Sequence, residues 1–467
     1  SNHQIYRVDG LLKDGLYYSL ISYRWSRGNW YFDLAAVKNK NIRQVKCGGF
    51  EDIDVLEVND GAGVFADCTL LEEADLSQTG ITVIESRLFL NCTSLKTVKL
   101  PKTLTMIYGA FENCTSLEKV DLSQTGITEL EGTFEGCSAL ETVKLPENIT
   151  KIGFGTFTGC SSLEKMDLSQ TLVTEIGGSA FSACSGLKTV KFPKTLTAID
   201  SYAFLSCKNL TGELDLSQTA VKTIGICAFY KDGGVLGKIR LPKTTTEIGS
   251  EAFSWETTDG PEKIYVITSL SKDKINAEAF KRNVPVVVCP YLYTIKFDGN
   301  GAAKGKMSEK ACAAGQKEKL SKNKFEKKGY TFAGWNTQPD GKGTFYEENA
   351  YVKNLTKKAD EVVTLYAQWK ANQYKIHYNS NGGSGTMNDS TVTYDGSFTL
   401  PQNTFTNNGY QFLGWSKTKD GDVAAYEDQE AIKYQTASDL TLYAIWGNGQ
   451  YKISFMPNGA QADAKII

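Results

Sequence analysis

From Phe65 onward the apolar residues keep a fixed register, as in Leu95, Val98, Leu100, Ile107 and Phe111, followed by Leu117, Val120, Leu122, Leu130 and Phe134. The alternation Val98-x-Leu100 has the period of a short strand with one face buried. Behind it comes either Leu-Pro-Lys-Thr or Leu-Ser-Gln-Thr, turn chemistry that ends the strand. A small residue then precedes many of the phenylalanines, such as Ala110, Ala180, Ala203 and Ala252. Each unit therefore predicts a strand, a turn and a short return segment. A single unit leaves its strand unpaired on both edges and its apolar row half exposed, so only stacking of units supplies hydrogen bonds and burial.

The units are counted by a Phe-x-x-Cys pair: Phe65 and Cys68, Phe89 and Cys92, Phe111 and Cys114, Phe134 and Cys137, Phe157 and Cys160, Phe181 and Cys184, Phe204 and Cys207. Phe229 and Phe253 continue the series without the cysteine, giving nine repeats at spacings of 22 to 25 residues. That period lies in the range of leucine-rich repeats and predicts a right-handed solenoid with a parallel sheet along one face. A second period is superimposed. Asp-Leu-Ser-Gln-Thr at Asp75, Asp121, Asp167 and Asp215 alternates with Lys-Leu-Pro and its variants at Lys99, Lys144, Lys191 and Arg240. These eight residues share one outward position on neighbouring strands and form a row of alternating sign. The row reads either as an exposed ion-pair ladder that fixes repeat order, each pair contributing about 0.2–1 kcal/mol, or as a binding platform.

Together these residues resemble the BspA-like leucine-rich repeats, whose pattern is Ala-Phe, a Cys, a Leu, a strand, then Pro and a Thr-x-Ile segment. The resemblance covers 63–290, where the late repeats and an irregular stretch from Pro261 to Pro290 form or approach a C-terminal cap. Residues 1–62 lack the repeat but carry Tyr17, Tyr18, Trp25, Trp30, Tyr31 and Phe32. They read as an N-terminal cap over the open core, with an aromatic ligand site as the alternative.

After Tyr291 a different pattern appears: Tyr293-Thr-Ile295-x-Phe297, Asn300-Gly301, Gly329-Tyr330-x-Phe332-x-Gly334-Trp335 and Tyr366-Ala-x-Trp369. It recurs as Tyr374-Lys-Ile376-x-Tyr378, Asn381-Gly382, Gly409-Tyr410-x-Phe412-x-Gly414-Trp415 and Tyr443-Ala-x-Trp446, and starts a third time at Tyr451. The first run and its Asn-Gly read as a strand entering a hairpin, and the Tyr-Ala-x-Trp run as a closing strand. These signals resemble the Listeria-Bacteroides repeat, which implies small β-grasp-like modules over 291–372 and 373–449, with an incomplete third over 450–467. The fold class is thus a mainly β repeat protein, a right-handed leucine-rich-repeat solenoid followed by small tandem β-grasp-like modules.

Composition removes several functions. Lys plus Arg number 51 against 53 Asp plus Glu, a net charge of -2, so no general attraction to nucleic acid is expected. The longest apolar stretches fall short of the roughly 20 residues that span a bilayer, so no membrane insertion is expected within this chain. The chain begins with Ser1, and the lack of a secretory signal says nothing about export. Only two histidines occur, His3 and His377, which disfavours histidine catalysis and histidine metal sites. The eleven cysteines, an odd number, read as buried structural thiols, with zinc the alternative weakened by the absence of Cys-x-x-Cys pairs. Asn91-Cys-Thr and Asn113-Cys-Thr read as by-products of the repeat rather than glycan sites. Asp298-Gly-Asn-Gly, Asp340-Gly-Lys-Gly and Asp420-Gly-Asp lack the full spacing of a calcium loop and read as turns. Trp335, Trp369, Trp415 and Trp446 read as module core rather than sugar-stacking platforms.

One local charge imbalance stands out. Between Ala302 and Lys328 lie nine lysines, Lys304, Lys306, Lys310, Lys317, Lys319, Lys322, Lys324, Lys327 and Lys328, against three glutamates, an excess with no counterpart in the second module. It reads as a solvated loop or as a contact for acidic glycans or matrix. No metal, cofactor or catalytic group is expected, and the chain is read as not an enzyme. The BspA-like resemblance implies a secreted or surface-exposed bacterial protein that adheres to a protein or glycan on host or neighbouring cells, with the modules as a stalk. A structural envelope spacer and a non-catalytic glycan-binding surface protein are the alternatives.

Overall fold

Each repeat contributes two strands rather than one. The computed structural model describes residues 63–448 except 64, 85–86, 232–234, 257–259 and 282. It also gives the backbone of five earlier strands, His3–Ile5, Ser22–Ser26, Asn29–Asp33, Gln44–Lys46 and Val55–Leu56. The aromatic residues of the expected cap, Cys47 and the third module start therefore lie outside the described side chains. The chain divides into two compact units, Ser1–Leu292 and Tyr293–Ile467.

The first unit is a β-solenoid of about nine turns. Its longest sheet is built from what the sequence suggests is only a return segment. Nine short strands, from Val55–Leu56 through Glu129–Glu131, Lys151–Ile152 and Glu175–Ile176 to Glu247–Ile248, pair in parallel in chain order. Inward residues of these strands, such as Leu130, Ile152, Ile176, Ile199 and Ile224, are buried, which is why the segment is extended rather than looped. The single parallel sheet expected on the opposite face is instead divided. Gln44–Lys46 to Thr142–Lys144 form five strands, Lys165–Asp167 pairs with Thr189–Lys191, and Gly212–Asp215, Leu236–Arg240, Ile264–Ile267 and Val286–Cys289 form four.

Between the sheets the phenylalanines make one column, with ring centroids 5.0–5.6 Å apart from Phe65 to Phe253. A tenth ring, Phe280, stacks on Phe253 at 5.5 Å. The stretch after Pro261 is thus not irregular, because its strands and its Ala279-Phe280 pair continue the stack. Longer spacing, 27 residues from Phe253, hides this turn in the sequence. Burying each such ring is worth about 1.5–3 kcal/mol, so the column is a main source of cohesion.

The cysteine column lies beside it, and Cys68, Cys92, Cys114, Cys137, Cys160, Cys184 and Cys207 are all buried and form no disulfide. Each thiol from Cys92 to Cys207 donates to the carbonyl of the phenylalanine in the preceding turn, at 3.0–3.2 Å. That carbonyl already accepts the amide N–H of the cysteine in its own turn, so both lone pairs are used. The asparagines of the two sequons are likewise part of the stack. Both adopt positive φ, and Asn113 Nδ2 donates to Asn91 Oδ1 at 3.0 Å, while Asn91 Nδ2 donates to Asp67 at 2.9 Å.

In the second unit each module places its closing strand between two others. Gln373–Asn379 pairs antiparallel with Ser390–Thr393 and parallel with Leu440–Gly447, which also pairs antiparallel with Gln411–Ser416. The first module repeats this with Leu292–Asp298, Val362–Ala371 and Tyr330–Asn336. The Asn-Gly pair does not make a tight hairpin. Asn300 and Asn381, both at positive φ, send Nδ2 to the carbonyls of Ala367 and Ala444 on the closing strand, 2.9 Å in each case. The Gly-Trp signal marks a bulge, where Gly334 and Gly414 have φ of 151° and 140°. A Cβ there would sit 2.7 or 2.8 Å from the carbonyl oxygen of Tyr346 or Tyr426. The bulge turns Trp335 and Trp415 into the core, where both are fully buried.

Candidate interaction surface

The outward row of alternating charge resolves into discrete pairs. Lys99 lies 3.4 Å from Asp75, Lys144 3.0 Å from Asp121 and Lys191 2.8 Å from Asp167. The Asp-Leu-Ser-Gln-Thr sequence builds this locally. Oδ1 of each of these three aspartates accepts the amide and hydroxyl of the serine two residues on, which leaves Oδ2 for the lysine of the next turn. The lysine and the serine hold the Asp167 carboxyl down to about 2. The row is not continuous: among the described residues no ion pair joins Lys99 to Asp121 or Lys144 to Asp167. At the fourth position Arg240 lies in register with Asp215 and pairs with Glu213 on the adjacent strand, and the Asp215 carboxylate accepts from the Ser217 amide.

A different feature stands on the return sheet. Its outward positions in successive strands run Glu129, Lys151, Glu175, Ala198, Thr223 and Glu247. The small side chains of Ala198 and Thr223 leave a depression between Glu175 and Glu247, three strand spacings or about 14 Å apart. The next position along the chain holds Glu131, then Gly153, Gly177, Asp200, Gly225 and Gly249. Gly225 is packed so closely that a Cβ would approach the Ser201 amide nitrogen to 2.2 Å, and Gly249 is similar. Asp200 is the one side chain in this otherwise glycine-filled series beyond Glu131.

The result is a cavity of about 430 Å³ lined by Glu131, Lys151, Phe154, Glu175, Asp200 and Glu247 among others. Phe154 is 61% exposed and lies against Gly178 of the next turn. Lys151 is taken by Glu175 at 2.7 Å. Asp200 makes no side-chain hydrogen bond to any described residue, and burial, with the nearby Glu175 charge, raises its pKa. No group of carboxylate, histidine or thiol side chains among the described residues converges as metal ligands would.

The profile of the BspA type Leucine rich repeat region matches residues 59–173 and 131–259 in six copies, and that of the Listeria-Bacteroides repeat domain matches 293–368 and 374–445. The chain is a BspA-type leucine-rich-repeat protein with Listeria-Bacteroides repeat domains. Such repeats are typical of bacterial surface proteins. Over 142 residues the BspA-type chain is 34% identical to an Evansella cellulosilytica protein that bears the name of a Gly-rich membrane protein, covering 30% of this chain and 16% of that one. A second protein of that organism, named as a membrane protein, is 31% identical over 170 residues, covering 35% of this chain and 23% of its own length. The chain thus spans less than a quarter of either relative. Among solved structures, a leucine-rich repeat protein from Bacteroides ovatus aligns with TM-score 0.43 and 22% identity over 59% of this chain and 71% of its own. A leucine rich cell surface protein from Faecalibacterium prausnitzii aligns with TM-score 0.35 and 19% identity over 53% and 74%. No helix among the described residues is long and apolar enough to cross a membrane.

The lysine-rich segment of this BspA-type protein is only partly a loop. It contains the strands Lys310–Ala313 and Glu318–Lys319, held by burial of Cys312, Ala313 and Leu320. Lys310 is 3.5 Å from Glu318, the Lys304 backbone bridges to Glu326, and the Lys327 ammonium lies 4.6 Å from the Tyr330 ring centre. Lys304, Lys306, Lys317, Lys319, Lys322, Lys324 and Lys328 are exposed. Of the two solenoid surfaces, sequence reasoning finds only the Asp/Lys row. The cavity residues escape it because each falls in a variable position of its own repeat, and the available signal is an aspartate where neighbouring turns have glycine.

Proposed function

We propose that the chain is a non-catalytic adhesion protein of the bacterial surface, whose solenoid binds a protein or glycan on host or neighbouring cells and whose β modules act as a stalk. The observation that carries this reading is the cavity at Phe154 and Asp200. It places an exposed aromatic ring and a part-buried carboxylate with no side-chain hydrogen bond to any described residue on the outward face of the return sheet. The exposed lysines of the first module offer a second, purely electrostatic contact.

A structural spacer is the competing reading, favoured by one observation: three of the four outward Asp/Lys pairs already satisfy each other within 3.4 Å. On that reading the eight-residue row orders the stack and binds nothing.

The test is binding of the full chain to immobilised matrix proteins, mucins and acidic glycans at low and high salt, beside a variant with Lys322→Gln, Lys324→Gln and Lys328→Gln. Binding that survives the variant supports the solenoid as platform, whatever its response to salt. Binding lost in both assigns it to the lysine segment, and silence across the panel leaves the spacer.

A further inference from the structure

We propose that the cavity on the return sheet receives an arginine side chain from an extended segment of a partner polypeptide. The inference rests on the solenoid being a binding platform and adds the chemistry of what is bound. Four carboxylates, Glu131, Glu175, Asp200 and Glu247, line the cavity against a single cation, Lys151, which Glu175 already engages. The lining therefore carries an excess of negative charge, and a cationic occupant complements it.

The spacing of the carboxylates selects the kind of cation. They do not converge as metal ligands among the described residues, so they suit an extended group rather than a metal ion. Asp200 and Glu175 both face the cavity, and a guanidinium offers donors in several directions at once, unlike a compact ammonium. Phe154 adds an exposed ring on which a planar guanidinium stacks. The volume of about 430 Å³ admits a long side chain with part of its backbone. Asp200 is part-buried and makes no side-chain hydrogen bond to any described residue, so a guanidinium offers it a partner.

The probe is a fluorescein-labelled peptide, Gly-Gly-Arg-Gly-Arg-Gly, titrated with the full chain and followed by fluorescence anisotropy, beside the same peptide carrying lysine or uncharged citrulline. Asp200→Gly and Phe154→Ser restore residues found at the same position of other turns, Gly225 and Ser201, so both variants keep the stack. The expected result is saturable binding, weakened about fivefold or more by lysine, by either variant and by high salt, and lost with citrulline. Lys102→Ser, in an exposed turn outside the cavity lining, leaves it unchanged. Equal binding of the arginine and lysine peptides, no binding at all, or binding that Asp200→Gly and Phe154→Ser leave intact overturns the inference. If the unmodified chain still binds the matrix panel in that event, the solenoid platform stands and only the arginine assignment falls. If the panel is also silent, both fall.

Discussion

The thiol of Cys137 donates to the carbonyl oxygen of Phe111, one turn earlier, at 3.0 Å. The same bond recurs along the column and ties each turn to its predecessor. Burial pushes the Cys137 thiol up to about 12, which keeps it protonated and able to donate. Cys137→Ala removes the bond and leaves a small void, and is expected to lower stability by about 1–2 kcal/mol, with Cys137→Ser intermediate because its hydroxyl reaches the same acceptor. Urea denaturation of the three proteins checks the order.

Among the described cysteines Cys227 is the only one not buried. It is expected to react with a maleimide before any of the seven column thiols, which become reactive only on unfolding. Burial and the Glu251 charge raise its pKa, so its labelling accelerates as pH rises above neutral. Peptide mapping after timed labelling decides this, and early modification of Cys114 or Cys160 would refute a closed column.

The Asp167–Lys191 pair gives a pH-dependent contribution of known sign. With the folded pKa near 2 against 3.8 for the free group, the contribution is fully present above about pH 4 and disappears as pH falls toward 2. Both side chains are more than half exposed, so screening limits the pair to under about 1 kcal/mol. A double-mutant cycle with Asp167→Asn and Lys191→Gln is expected to show that coupling at pH 6 and to have lost most of it at pH 2, where half of the folded-state carboxyls are protonated.

Lys231 is buried to 1% exposure and donates to the Leu210 carbonyl near the end of the cysteine column. Burial lowers its pKa to about 8 from 10.5, so the native state binds fewer protons than the unfolded chain between these values. Stability therefore rises as pH goes from 8 to 10.5. Lys231→Met is expected to gain about 1–2 kcal/mol at pH 7 and to lose the alkaline rise, measured by urea midpoints across that range.

Gly414→Ala is expected to cost about 2–3 kcal/mol, because φ of 140° strains any L side chain and the added methyl meets the Tyr426 carbonyl. Hydrogen exchange should show lost protection in the strand Leu440–Gly447, with Ser397→Ala on an exposed edge as the silent control.

The sequence by itself determined what repeats. A 22- to 25-residue period of Phe and Cys implies stacked turns and buried columns, because each unit lacks the partners to satisfy its own backbone. The two Gly-Trp and Tyr-x-x-Trp series likewise marked two β modules, since their spacing repeats whatever the surroundings. Short runs such as Glu175–Ile176 carry too few residues to show a strand period, so the nine-stranded return sheet emerges only when turns are paired. Phe280 joins the column at an altered spacing, and Arg240 finds Glu213 as an ion-pair partner that the alternating row does not announce.

The cavity exists only once the turns are stacked. Phe154 and Asp200 lie two turns apart in the chain, and neither departs from what a single repeat tolerates. Their meaning comes from register, because stacking aligns equivalent positions of successive turns about 4.8 Å apart and sets the absent side chains of Gly177 and Gly178 between them. A repeat pattern records what all turns share, whereas a binding site on a solenoid is made of the places where neighbouring turns differ.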